Sequence, residues 1–201
     1  MVMMAAGTNN NLAIKRRLKL DYRDNFNENL IQQAKTDPEA FAKLFRAHYN
    51  IVFRYCARRL FDRHSAEDVT STVFMKVMKN IGSFEGERKD FLHWLIRIAT
   101  NAVNDHLRSA KRRADAIRIA SKNPQTELIL VINSDQQLQE KKDLVKQALL
   151  SLKPKYQTVI ALRFFENMKL NQIAACLGKN PATVRSQLSR AIAKLRKKLI
   201  R

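Results

Sequence analysis

The run Leu170-Asn-Gln-Ile-Ala-Ala-Cys-Leu-Gly-Lys-Asn-Pro-Ala-Thr-Val-Arg-Ser-Gln-Leu-Ser-Arg190 admits few folds. Leu170, Ile173, Ala174 and Leu177 recur at helical spacing, and Gly178 follows where a left-handed C-cap is needed. Asn180 and Pro181 then supply an N-cap and a first-turn proline for a second helix. Two short helices around so tight a turn predict a helix-turn-helix.

The second helix has two faces. With Val184, Leu188, Ala191, Leu195 and Leu199 turned inward, a rotation of about 100° per residue turns Ala182, Ser186, Ser189 and Arg190 outward, with Arg185 on the flank. From Asn167 to the end the chain has no acidic residue, against nine bases: Lys169, Lys179, Arg185, Arg190, Lys194, Arg196, Lys197, Lys198 and Arg201. A merely solvated face would mix both signs, so this one is read as a phosphate-binding surface with small base-reading side chains at its N-terminal half.

The rest of the composition agrees. The 201 residues carry a formal net charge of +20, which asks for a polyanion. The charge does not lie opposite a wide stripe of Trp, Phe and Leu, which favours nucleic acid over a membrane surface. Four glycines and four prolines leave little room for hairpins or phosphate loops, so the expected class is all-α: two small helical domains joined by a linker, the second a helix-turn-helix. Cys56 and Cys176 fall within apolar helix faces without metal-spaced partners, and read as buried thiols of a reducing cytoplasm. The opening Met1-Val-Met-Met-Ala-Ala-Gly is too short for a signal core, and no long apolar run follows. His48, His64, His93 and His106 have no ligand spacing, and no nucleophile elbow or Gly-rich loop occurs; the expectation is no metal, no cofactor and no enzyme.

In chain order, residues 1–22 form a basic arm with Lys15, Arg16, Arg17 and Lys19. A first helix is predicted from Asn25 to Lys35, and a second from Glu39 to Leu60, capped by Asp37 and opened by Pro38. Ser65-Ala-Glu-Asp68 reads as a capping box opening a third helix to Asn80, with Glu67, Asp68, Ser71, Thr72, Met75 and Lys76 largely outside. The loop from Gly82 to Asp90 precedes a fourth helix from Phe91 to Arg113, with Phe91, Leu95, Ile98, Ala102 and Leu107 apolar, Trp94 packing alongside, and a cationic end. These residues, 23–113, make the first domain. Residues 114–140 are read as a linker, in which Leu128–Ile132 either packs on a partner or starts the next helix early. The second domain, 141–201, opens on Leu144, Ala148 and Leu152 and continues through a helix from Lys155 to Glu166.

Two segments then carry a resemblance: Ala66-Glu-Asp-Val69 through Phe91-Leu-His-Trp-Leu-Ile-Arg-Ile-Ala-Thr-Asn101 to Arg108, and Leu152-Lys-Pro-Lys-Tyr156 through Leu195. In this order, and in a chain this short, they resemble the bacterial sigma factors of the extracytoplasmic-function type. The resemblance implies that the third helix docks on the beta-prime clamp helices of core RNA polymerase through Glu67, Asp68, Ser71, Thr72 and Met75. Asp68 could also serve as the cap residue of the box. At Ser71-Thr72 the family usually shows Gln-Glu. The loop Ser83–Lys89 and the fourth helix would bind the opening minus-10 element through Asn101, Asp105 and Arg108, with Lys111, Arg112 and Arg113 on backbone. Phe84 is either base-facing or tucked into the core. The second domain would read the minus-35 element through Thr183, Arg185, Ser186, Gln187, Ser189 and Arg190; Gln187 stands where the family commonly has a base. Implied partners are core polymerase, including its beta flap, promoter DNA and, as is common in the family, an anti-sigma factor. The rival reading is a stand-alone helix-turn-helix regulator, which would form dimers on palindromic duplex sites.

Overall fold

The computed structural model describes residues 28–120 and 136–200. The basic arm, the start of the first helix, the segment Leu128–Ile132 and Arg201 lie outside the described residues. Within them every regular element is helical: α1 Glu28–Gln33, α2 Pro38–Leu60, α3 Arg63–Asn80, a 3-10 turn Ile81–Ser83, α4 Arg88–Ala120, α5 Gln136–Leu150, α6 Pro154–Ile160, a π-helical turn Ala161–Phe165, α7 Leu170–Leu177 and α8 Pro181–Leu199.

The first body is α1 to α4. Asp37 caps α2 as the sequence indicates, its carboxylate accepting from the Glu39 amide at 2.9 Å. The capping-box reading of α3 needs correction. Asp62 is the cap, accepting from the Ser65 amide at 2.8 Å, so α3 starts at Arg63 and both Ser65 and Asp68 lie inside it. That hydrogen bond holds the Asp62 carboxyl below the usual carboxylate range. The core is Leu44, Val52, Tyr55, Cys56, Val73, Phe74, Val77, Phe91, Leu95 and Val103, drawn from three helices at helical period. α4 runs on to Ala120, past the predicted end at Arg113. Ala114, Ala116 and Ala120 favour its continuation.

The second body is α5 to α8. α5 begins at Gln136, ahead of the predicted start, and α6 ends in the π-helical turn before Glu166. Gly178 adopts φ 60°, ψ 41° and closes α7 in the left-handed conformation expected of it. Asn180 accepts from the Ala182 amide at 2.8 Å at the head of α8. Ile173, Ala174, Val184 and Ala191 close the core, with Leu188 and Leu195 half-buried. The inward stripe fails at two ends: Leu199 is 37% exposed, and Leu144 on α5 is 49% exposed. Between α5 and α8 runs a groove of about 560 Å³ lined by Leu144, Ala148, Leu152, Lys194, Lys197 and Lys198.

The bodies touch. α4 packs against α7, and the end of α2 against α6 and the π-helical turn. Both cysteines are fully buried; burial pushes the Cys56 thiol up to about 11 and the Cys176 thiol up to about 12.

Candidate nucleic-acid interface

On α8 the sequence-derived face is present. Thr183, Arg185, Ser186, Ser189 and Arg190 are exposed, while Val184 and Ala191 anchor the opposite side. Arg185 and Arg190 are held in no ion pair among the described residues. Gln187 departs from the set: it is half-buried and accepts a long hydrogen bond from the Lys179 ammonium at 3.5 Å, which ties the helix back to the turn. The outer face also holds a shallow concavity of about 370 Å³ that adds Ile192 and Arg196 to Arg185 and Ser189. Arg196 lies seven residues, about two turns, beyond Ser189, and that helical spacing was the available signal for its place on this face.

On α4, Asn101, Asp105 and Arg108 are exposed at steps of four and three, hence on one stripe. Asp105 accepts from Arg108 at 3.1 Å and faces the Lys76 ammonium at 3.8 Å, which ties α4 to α3. Lys111, Arg112 and Arg113 follow, all exposed, with Arg113 donating to Ser109 at 3.1 Å. Phe84 takes the packed alternative in this structure: it is 4% exposed, with its ring 5.5 Å from Phe91 and 5.2 Å from Trp94. Gly86 permits this, because a Cβ there would stand 3.1 Å from both the Phe84 ring and the Asp90 Cβ. Above these rings lies an open cleft of about 340 Å³ lined by Ser83, Phe84, Glu85, Asp90, His93, Trp94, Arg97 and Ala175.

On α3, Asp68, Ser71 and Met75 are exposed, and Glu67 and Thr72 half-buried. Glu67 pairs with Arg63 at 2.9 Å, whereas Asp68 has no ion-pair partner among the described residues. The Ser71 and Thr72 hydroxyls donate to the carbonyls of Glu67 and Asp68, so they turn toward their own helix. Met78, 57% exposed, continues the stripe Asp68-Ser71-Met75 at step three. The sequence reading omitted it, although its position on the Met75 face was the available signal. The result is an acid beside two exposed methionines, suited to a protein surface rather than to DNA.

A basic, acid-free recognition helix joined to a second helical body with its own cationic helix end defines a two-part DNA-binding protein. The model of Sigma-70 region 2 matches residues 44–113, and that of Sigma-70 region 4 matches residues 142–195. The chain is 31% identical over 175 residues to the ECF RNA polymerase sigma factor SigW of Bacillus subtilis, covering 84% of this chain and 93% of that protein. It is 29% identical over 174 residues to the ECF RNA polymerase sigma factor BldN of Streptomyces coelicolor, covering 83% of this chain and 63% of BldN. Among solved structures, the sigma factor RpoE of Bartonella quintana, in complex with the anti-sigma factor NepR, shares the fold at a TM-score of 0.57 and 21% identity, over 79% of this chain and 96% of that one. The chain therefore belongs to the extracytoplasmic-function sigma factors of the sigma-70 family. Its function is promoter-specific initiation by RNA polymerase, and a stand-alone regulator is not favoured. Among the described residues no helix is long and apolar enough to cross a membrane.

Proposed function

We propose that the two bodies divide the work of initiation, without covalent chemistry, a cofactor or a metal, in the cytoplasm where core polymerase resides. The α3 stripe of Asp68, Ser71, Met75 and Met78, flanked by Glu67 and Thr72, docks on the beta-prime clamp helices. Asn101, Asp105 and Arg108 meet the minus-10 element as it unstacks, and Lys111, Arg112 and Arg113 hold its backbone. Thr183, Arg185, Ser186, Ser189 and Arg190 read the minus-35 duplex in the major groove, with Gln187 positioning the turn. The groove between α5 and α8 receives the beta flap. The domain division at 23–113 and 141–201 fits this split, and an anti-sigma factor would act by covering the docking surfaces.

The observation that carries the reading is the pair Arg185 and Arg190, exposed and in no ion pair among the described residues, on a recognition helix with no acid. Two weak contacts joined by a tether combine their energies, so neither body needs to bind promoter tightly alone. Multi-round transcription with purified core polymerase on pooled genomic fragments, with the starts sequenced, tests it. Specific starts are expected only with the protein present, and Asp68→Arg combined with Glu67→Arg abolishes them. Starts that survive this double substitution remove α3 as the docking surface, and no starts at all would overturn the reading.

A further inference from the structure

Sulfur is distributed unevenly over this fold. Among the described residues Cys56 and Cys176 are fully buried and Met168 is 9% exposed, whereas Met75 and Met78 are 53% and 57% exposed. Met1, Met3 and Met4 lie outside the described residues. The two accessible sulfurs stand three residues apart on adjacent turns of α3, on the face that carries Asp68 and Ser71. The opposite face of that helix, with Val69, Val73 and Val77, is buried in the core.

The same division holds for reactivity. A thiol meets a peroxide as its thiolate, and burial keeps both thiols protonated, Cys56 pushed up to about 11 and Cys176 up to about 12. A thioether has no proton to lose and needs only contact with the oxidant. A peroxide in solution therefore meets the two α3 methionines ahead of the other described sulfurs. The step transfers one oxygen: a sulfur lone pair attacks the peroxide, the O–O bond breaks, a sulfoxide forms and water leaves. Sulfur is oxidised by two electrons and the peroxide is reduced by two. A dithiol reverses the change, giving back the thioether with a disulfide and water.

The consequence differs between the free and the docked protein. In the free chain a sulfoxide at either position is solvated and takes no packing from the core. On a docked surface its oxygen is enclosed with the apolar contact it interrupts, and burying a polar atom without a partner weakens a contact by on the order of tenfold or more.

We propose that Met75 and Met78 are a reversible oxidation site, at which a hydroperoxide turns the docking face of α3 from apolar to polar and releases the protein from core polymerase. This rests on the assignment of α3 as the surface that meets polymerase. The fold supplies the selectivity, since it shields Cys56, Cys176 and Met168 and presents only the pair on that face among the described sulfurs.

The test treats the full chain with hydrogen peroxide alone, destroys the oxidant with catalase, and then adds untreated core polymerase, so that only the sigma factor is modified. Peptide mass spectrometry follows each sulfoxide, and native gel electrophoresis follows core binding. Met75 and Met78 are expected to oxidise on the order of tenfold faster than Met168, and core affinity to fall on the order of tenfold or more with the helical circular dichroism unchanged. Methionine sulfoxide reductases of both epimer specificities, with dithiothreitol, should restore it. In Met75→Leu combined with Met78→Leu, treated and untreated samples should bind core equally, whatever affinity that variant starts from. Undiminished core binding by the doubly oxidised wild type overturns the site. So do a loss that persists in the leucine variant, a loss that the reductases leave in place, and oxidation of Met168 as fast as that of the pair. If untreated wild type does not bind core, or if binding survives Asp68→Arg combined with Glu67→Arg, the docking reading of α3 fails and the site falls with it. If that double substitution abolishes binding and the sulfoxides leave it unchanged, the oxidation site alone is refuted.

Discussion

Replacing Phe84 by alanine separates a structural role from a base-reading one. The ring is 4% exposed and meets Phe91 edge-on at 5.5 Å, with an interplanar angle of 86°, and Trp94 at 5.2 Å. Truncating a buried phenylalanine costs about 3–5 kcal/mol, made up of lost transfer energy plus an unfilled cavity. Phe84 lines an open cleft that can admit water or collapse, so the low end applies, about 3 kcal/mol. That is a large part of a stability of about 5–15 kcal/mol. Trp94 is the single tryptophan of the chain and lies against Phe84, so its fluorescence in a urea titration follows the body under test. Phe84→Leu, which keeps most of the apolar volume, should lose about 1 kcal/mol and retain open-complex formation. If Phe84→Ala lowers stability by less than about 1 kcal/mol yet abolishes open complexes, the packing argument is refuted and the ring belongs to the DNA.

Three further outcomes follow from other sites. At Gly178, φ is 60° and an added Cβ would meet nothing within 4 Å, so Gly178→Ala carries only the left-handed backbone cost of about 1–2 kcal/mol, seen as a lower melting temperature of the second body; Gly178→Asn should recover most of it. Arg190→Ala should reduce the slope of log affinity against log salt for duplex DNA by about 1 if Arg190 contacts phosphate, and an unchanged slope in fluorescence anisotropy removes that contact. At Glu166, burial raises the carboxyl above its ordinary value, and the nearby Arg58 and Arg54 offset this only in part. A raised carboxyl favours the folded state when protonated, so the penalty appears as pH rises from the ordinary carboxylate value through the raised one. Glu166→Gln should therefore be more urea-resistant than wild type at pH 7, with the difference shrinking toward acid; an equal or lower midpoint at pH 7 would show that the Arg58 pair outweighs burial.

The recognition helix was legible because its signals are local. Gly178, Asn180 and Pro181 each fix a backbone conformation within a residue or two, and α7 and α8 start and stop there. At α3 two local signals competed: Ser65 with Asp68, and Asp62 three residues before Ser65. The carboxylate prevailed, since an ionised acceptor at a helix N-terminus gains from the dipole as well as from the hydrogen bond. The end of α4 was placed too early because apolar period stops near Arg113, whereas alanine propensity carries the helix to Ala120. The arginines that bridge the two bodies were not legible at all. A base on an amphipathic helix reads as solvated, and only the approach of a segment 79 residues away in sequence turns Arg97 into the cap of α7. Phe84 stood undecided for the same reason, because its burial depends on Phe91 and Trp94 folding back over the loop.

Arg59 lies where the end of α2 meets α6. Among the described residues it is buried with no carboxylate against it; its hydrogen bonds go to Thr158 at 2.7 Å, Asn104 at 3.1 Å and Tyr55 at 3.3 Å, and its Nε has no partner there. The desolvation of a cation costs several kcal/mol, against charge-assisted hydrogen bonds of about 1.5–3 kcal/mol each, so the two sides nearly cancel. Its removal strands little: Thr158 still donates to the Pro154 carbonyl, Tyr55 still shares its hydroxyl with Thr100 at 2.8 Å, and Asn104 is only partly buried. Arg59→Met, which keeps the length and apolar bulk of the stem, is therefore expected to change folding stability by no more than about 1 kcal/mol by urea titration. Arg59→Glu, which puts an unpaired anion among neutral groups, should lose several kcal/mol. A loss above about 3 kcal/mol in Arg59→Met would mean that the three hydrogen bonds outweigh desolvation.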